Sequence, residues 1–177
     1  TERITSIVQS LVNFSHGGLH MEGRRSETIN LRDCASEAIK LLLLDKDATP
    51  IEFRNLCAAD HRATGDPQRI IQVLLNLLSN ARDASEAGQT VVIDSEDLGY
   101  GRLAISVTDA GRGIPEDQFD QLFEPFYTTK EPGQGTGLGL ALVYNIIEDH
   151  GGEISVESNA QLPGGRGTRF LVTLPAE

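Results

Sequence analysis

Tryptophan is absent, and phenylalanine and tyrosine supply only 5% of the 177 residues. Any core is therefore aliphatic, and a hydrophobic content of 39% suffices to build one. Basic residues are in short supply: 15 Lys and Arg stand against 26 Asp and Glu, a formal net charge of −11. A field of that sign repels phosphate backbones and argues against DNA or RNA as a partner. It repels free nucleotides too, so a nucleotide site here must overcome it locally with cations or backbone amides. Only two cysteines occur, Cys34 and Cys57, outside any C-x-x-C pattern. They read as small buried thiols in a reducing compartment, and a cytoplasmic location is the expectation. Long apolar runs are also missing. A run such as Leu41 to Leu44 is far too short to cross a bilayer, and no leader-peptide pattern is present. The chain opens at Thr1 inside a periodic segment, which reads as part of a longer protein whose remainder is free to carry a membrane anchor.

What is present alternates between helical and strand periodicity. Ile4, Ile7, Val8, Leu11 and Val12 repeat as on an amphipathic helix that breaks at Gly17 and Gly18. "ETINL" reads as a short strand, residues 32–45 as a leucine-rich helix and "PIEFRNL" as another strand. "DPQRIIQVLLNLLSNARDASEAG" is a bounded helix, with Asp66 as N-cap, Pro67 at the first helical position and Gly88 beyond the end. "TVVIDSE" and "RLAISVTD" form a hairpin around "DLGYG". Residues 138–149 form a helix ended by Gly151 and Gly152. "EISVES" and "TRFLVTL" close the chain as a second hairpin. The order predicts an α/β fold, a two-layer sandwich with a mixed, mostly antiparallel sheet covered on one face by helices, plus a short N-terminal helix.

Three segments carry chemistry. At about 100° per residue along the helix that begins at Pro67, Asn76, Ser79, Asn80 and Asp83 share one stripe, with Arg69 at its edge. Ile70, Leu74, Leu77, Leu78 and Ala81 occupy the other side. A polar stripe is most often a solvated face, but Lys and Glu would serve better there than two asparagines at i, i+4. An asparagine carbonyl is a legitimate hard ligand for magnesium when nucleotide phosphates supply most of the negative charge.

"ISVTDAGRGIP" sets Asp109 at a strand end, followed by Gly111 and Gly113. The plain reading is a carboxylate capping a tight turn. The alternative is an acceptor for an exocyclic amine, with glycines letting a flat ring approach; it suits adenine, because guanine would oppose two acceptors.

"FEPFYTTKEPGQGTGLGLALV" places Gly133, Gly135, Gly137 and Gly139 ahead of a helix. Its G-x-G-x-G spacing, with no strand feeding it, excludes the dinucleotide-binding fingerprint. A mobile loop leading to a helix N-terminus remains, able to hold phosphate through amides and dipole, with Lys130 as a cation and residues 127–136 of lid length.

In this order the segments resemble the catalytic ATP-binding domain of bacterial two-component sensor histidine kinases, which has the Bergerat fold. "NLLSNARDA" is similar to the family's asparagine box, "DAGRGI" to its first glycine box, "FEPFYTTK" to its phenylalanine box and "GTGLGLAL" to its second glycine box. "GTRFLVTLP" is similar to its closing strand. The likeness covers about residues 23–177, and residues 1–22 resemble the end of a dimerisation helix.

The resemblance implies that Asn80 supplies the magnesium-ligating carbonyl, with Asn76 against the phosphates and Lys130 reaching them from the lid. These three would form the catalytic set. Asp109 would receive the adenine amine, and Gly111 and Gly113 would line the base, with Thr168 near it. Gly135, Thr136, Gly137, Leu138 and Gly139 would wrap the phosphates. Asp83 departs from the pattern, for many of these kinases carry a phosphate-touching Lys there. His16, His20, His61 and His150 are expected in structural or surface roles, since none is followed by an acid as the family's phosphoacceptor is.

The implied reaction is transfer of the ATP γ-phosphoryl to a histidine on a dimerisation helix absent from this chain. A homodimer and a response regulator receiver domain are the implied partners. The competing readings are a nucleotide-binding interaction module without transfer activity and an ATP-driven clamp. Asn76, where related ATPases carry a water-activating glutamate, argues against the clamp.

Overall fold

The computed structural model describes residues 27–130 and 137–177. The N-terminal amphipathic helix, His16, His20, Gly133, Gly135 and Thr136 lie outside the described residues.

The chain begins with β1 (Glu27–Asn30) and α1 (Leu31–Leu42), where Asn30 caps α1 by accepting the Asp33 N–H at 3.1 Å. Next come β2 (Glu52–Asn55), β3 (Arg62–Gly65) and α2 (Pro67–Ala84). Asp66 starts α2 as expected: its carboxylate accepts the N–H groups of Gln68 at 2.9 Å and Arg69 at 3.3 Å, with Pro67 at the first position. β4 (Thr90–Gly99) and β5 (Arg102–Asp109) form a hairpin. A 3-10 turn at Glu116–Gln121, α3 (Gly139–Asp149), β6 (Glu153–Ser158) and β7 (Thr168–Pro175) complete the fold.

Five strands make one sheet in the order β2-β4-β5-β7-β6, with β2 parallel to β4 and every other pair antiparallel. The expected mixed, mostly antiparallel sheet is present. Strand alternation decides which face is covered. Val91, Ile93, Leu103, Ile105, Val107, Val172 and Leu174 are buried with the apolar faces of the helices, while Asp94, Glu96, Glu153 and Glu157 on the alternate positions are exposed. The α2 side chains Ile70, Val73, Leu74, Leu77 and Leu78 are each at most 1% exposed. Burying a side chain of that size contributes about 1.5–3 kcal/mol, so this helix is held by packing more than by propensity. Its rotation is thereby fixed, and its polar stripe must face away from the sheet core.

Three details differ from the expectation. β3 pairs antiparallel with β1 as a separate two-stranded sheet. Its four residues, "RATG", hold a single buried apolar side chain, Ala63, too few to show an alternation. β4 continues to Gly99, so the expected five-residue connection narrows to Tyr100 and Gly101. Their φ values of 52° and 71° are those a two-residue primed turn demands. α2 stops at Ala84, short of Gly88. Ser85 turns its Oγ back to the Ala81 carbonyl at 2.7 Å, and Gly88 instead serves the approach to β4. Cys34 and Cys57 are buried as expected. Burial, with the Asp33 charge adding to it, pushes the Cys34 thiol up to about 11, and burial raises Cys57 as well, so both are poor nucleophiles.

Candidate functional site

A cleft of about 610 Å³ opens between the polar stripe of α2, the loop after β5, the 122–130 segment and the start of α3. Asn76, Ser79 and Asn80 form one wall. The amides of Asn76 and Asn80 make no hydrogen bond to another described residue, and both are half-buried, so their carbonyls remain available to the cleft. A Cβ added to Gly139 would stand 3.3 Å from Asn76 Oδ1, so the amide reaches the first residue of α3.

The two helices are tied together at the far end from this contact. Arg69 pairs with Asp149 at 2.9 Å, and the Asp66 N–H donates to His150 Nε2 at 3.0 Å. His150 Nδ1 lies 2.6 Å from the Ile146 carbonyl, which requires a neutral ring protonated at Nδ1. His61 Nδ1 lies 2.8 Å from Ser95 Oγ. Both described histidines hold structural positions.

Asp109 ends β5 on the cleft wall, only 6% exposed. Its Oδ1 accepts the Gly111 N–H at 2.8 Å, so the turn-capping reading is realised while the carboxylate still lines the cleft. Burial pushes its pKa up, against the opposing pull of the Gly111 and Thr168 backbone N–H groups and the Arg112 charge. Gly111 is obligatory at this bend, because a Cβ there would overlap the Ala84 carbonyl of α2. Behind Asp109, Ser158 Oγ accepts the Ile114 N–H at 2.8 Å, donates to the Gly167 carbonyl at 2.6 Å and sits 3.0 Å from Thr168 Oγ1. This network fixes the loop that bears Gly113 against the start of β7, where Thr168 lines the cleft.

At the other end, the first turn of α3 carries no acid, so no carboxylate within that turn offsets its N-terminal dipole. Gly137 lines the cleft, and its carbonyl accepts the Phe126 N–H at 2.8 Å, stitching the 122–130 segment to the start of α3. Leu138 is 2% exposed, so its side chain belongs to the core and only its backbone can meet a ligand. Lys130 lines the cleft, but its Nζ is engaged by Asp83 Oδ2 at 2.5 Å.

Asn76, Asn80, Asp109, Gly113, Lys130, Gly137, Gly139 and Thr168 thus converge on one cleft, with Gly111 directly behind Asp109. Sequence reasoning missed Arg112, Tyr127, Asn159 and Phe170, which also line it. Phe170 had a signal, lying two residues from Thr168 on the same strand face. Asn159 had none in its spacing. It adopts φ 51° and donates through Nδ2 to the Ile114 carbonyl at 3.3 Å.

A helix offering two amide carbonyls, a buried acid at a strand end and a helix N-terminus with no acid in its first turn, sharing one cleft, define a nucleotide-binding α/β sandwich. The family model described as "Histidine kinase-, DNA gyrase B-, and HSP90-like ATPase" matches residues 65–177, and the chain belongs to that family. Within it, the chain is 38% identical over 174 residues to sensor histidine kinase ZraS of Salmonella typhimurium, covering 98% of this chain and 35% of that protein. The chain thus spans about a third of the length of that relative. The catalytic domain of histidine kinase ThkA superposes with a TM-score of 0.73 at 36% identity, covering 85% of this chain and 95% of that one. Full-length ShkA in complex with AMPPNP superposes with a TM-score of 0.83 at 25% identity, covering 98% and 36%. The chain is an ATP-binding catalytic domain of the sensor histidine kinase type.

Proposed function

We propose that the cleft binds Mg-ATP and presents its γ-phosphoryl to a histidine on a dimerisation helix. The observation that carries this reading is the pairing, in one cleft, of the buried Asp109 carboxylate with the free amides of Asn76 and Asn80. Adenine fits the Asp109 end, where an N–H donor would meet the carboxylate that lines the cleft, and Thr168 stands beside it. The phosphates fit the α3 end, where Gly137 and Gly139 line the cleft at a helix N-terminus and Asn76 lies alongside. Gly135 and Thr136 join that set by resemblance.

Among the described residues, no three His, Cys, Asp or Glu gather to hold a metal on their own. The donor set fits a magnesium ion bound mainly by the phosphates, with the Asn80 carbonyl completing it. When bound, magnesium neutralises phosphate charge that this acidic protein otherwise repels. The protein's own residues orient the triphosphate and exclude water, and no side chain here serves as nucleophile. Asn76 cannot take a proton from water, which directs the phosphoryl to an external acceptor.

The acceptor histidine lies on another segment, as in a homodimeric sensor kinase. The downstream partner is a response regulator receiver domain; histidine kinase ThkA has been crystallised with response regulator TrrA, and it superposes with a TM-score of 0.76 at 30% identity. Among the described residues no helix is long and apolar enough to cross a membrane. A cytoplasmic domain, whether or not the full protein is anchored, is the consistent reading. The engagement of Lys130 by Asp83 favours one competitor, a nucleotide-binding interaction module that never transfers phosphate.

The test is incubation of this chain with γ-labelled ATP and a separately supplied dimerisation helical hairpin. Acid-labile, base-stable label on the hairpin histidine is the expected result. ATP binding without label on any histidine would replace the kinase reading with the module.

A further inference from the structure

Asp83 ends the polar stripe of α2, one turn past Asn80, and places a negative charge beside the part of the cleft read as the phosphate end. A carboxylate there opposes a triphosphate, so its benefit must lie elsewhere. Its Oδ2 stands 2.5 Å from Lys130 Nζ, the tightest ion pair among the described residues, across 47 positions of sequence. Lys130 lines the cleft, whereas Asp83 does not. The carboxylate therefore anchors the ammonium at the cleft's rim. Each is the other's only ion-pair partner among the described residues.

We propose that Asp83 is a specificity-determining residue: it withholds Lys130 from bound nucleotide until a γ-phosphate competes for the ammonium, and so weakens ATP relative to ADP. The proposal rests on reading the cleft as a nucleotide site. The terminal phosphate of ATP carries about two negative charges against one on Asp83, so the ammonium exchanges partners only when that phosphate is present. ADP is shorter by the phosphoryl that Lys130 would meet, and leaves the pair intact. ATP thus bears the cost of breaking the pair and ADP does not. Once the phosphoryl has left, the ammonium returns to Asp83, and ADP loses nothing it held.

The side chains are 26% and 40% exposed, so the pair has the modest strength of a half-solvated one, an effect of about fivefold in affinity at most. The exposure also means that Asp83→Asn preserves the fold, which a thermal melt verifies.

The experiment is calorimetric titration of the chain, Asp83→Asn, Lys130→Gln and the double variant with Mg-ATP and with Mg-ADP. Asp83→Asn is expected to tighten ATP about fivefold and ADP by less than about twofold, the latter from lost repulsion. In the Lys130→Gln background, Asp83→Asn should change ATP and ADP alike. Equal shifts for both nucleotides with Lys130 present, or weaker ATP binding by Asp83→Asn, would overturn the role of Asp83 while leaving the nucleotide site standing. Failure of the unaltered chain to bind either nucleotide would overturn the site reading itself, and this proposal with it.

Discussion

Changing Asp109 to Asn replaces one oxygen by an amide nitrogen and separates recognition from stability. The Asn Oδ1 still accepts the Gly111 N–H that Asp109 accepts at 2.8 Å, so the bend after β5 persists. The second position, however, becomes an N–H donor facing the adenine amine, also a donor. Losing a hydrogen bond to a charged acceptor and opposing two buried donors costs about 3 kcal/mol, or about 150-fold in ATP affinity. The fold should not suffer. Burial raises the folded-state pKa of Asp109 above its unfolded value, so the charged form is the penalised one. The penalty is absent below the ordinary carboxylate range and grows as pH rises through the folded pKa. Asp109→Asn removes it, and its stability relative to the parent should therefore rise with pH across that window and be positive at neutrality. Urea denaturation at several pH values, paired with ATP titration, reads both quantities. A loss of stability that accounts for the whole loss of binding would refute the reasoning. The variant, whose amide N–H can meet the guanine carbonyl, should also discriminate less against GTP.

Gly111→Ala should destabilise by roughly 1–3 kcal/mol in a urea melt, because its Cβ meets the Ala84 carbonyl on a helix that cannot yield. Asp66→Ala should cost about 1 kcal/mol by removing two N-terminal acceptor contacts of α2, with ATP affinity little changed; a large binding loss would show that the cap also sets the Asn76 position. Asn76→Asp should raise steady-state ATP hydrolysis about tenfold, short of the roughly 100-fold of a well-placed general base because its side chain is one methylene shorter than Glu. A fall in hydrolysis would contradict the assignment of Asn76.

How much of this was legible from sequence depended on range. α2 announced itself locally, through Asp66, Pro67 and an apolar period long enough to exceed any strand. The same periodicity places Asn76 and Asn80 on one face. Asp109 was legible as a strand-end acid, and the structure shows that it caps the turn while still lining the cleft. β3 was not legible, since a four-residue strand without apolar alternation is defined only by its partner β1. The Ser158 network was hidden for a related reason: it joins loops 44 positions apart through Ile114. The role of Asp83 could not be read at all, because a mismatch with a family pattern says nothing of which distant cation it meets.

The central claim is that the cleft is an adenine nucleotide site completed by magnesium. Calorimetric titration of the unaltered chain with ATP and GTP, each with and without magnesium, tests it most directly. ATP should bind, magnesium should tighten it and GTP should be rejected. Equal binding of ATP and GTP would remove Asp109 as the base reader, and no binding of either would contradict the account as a whole.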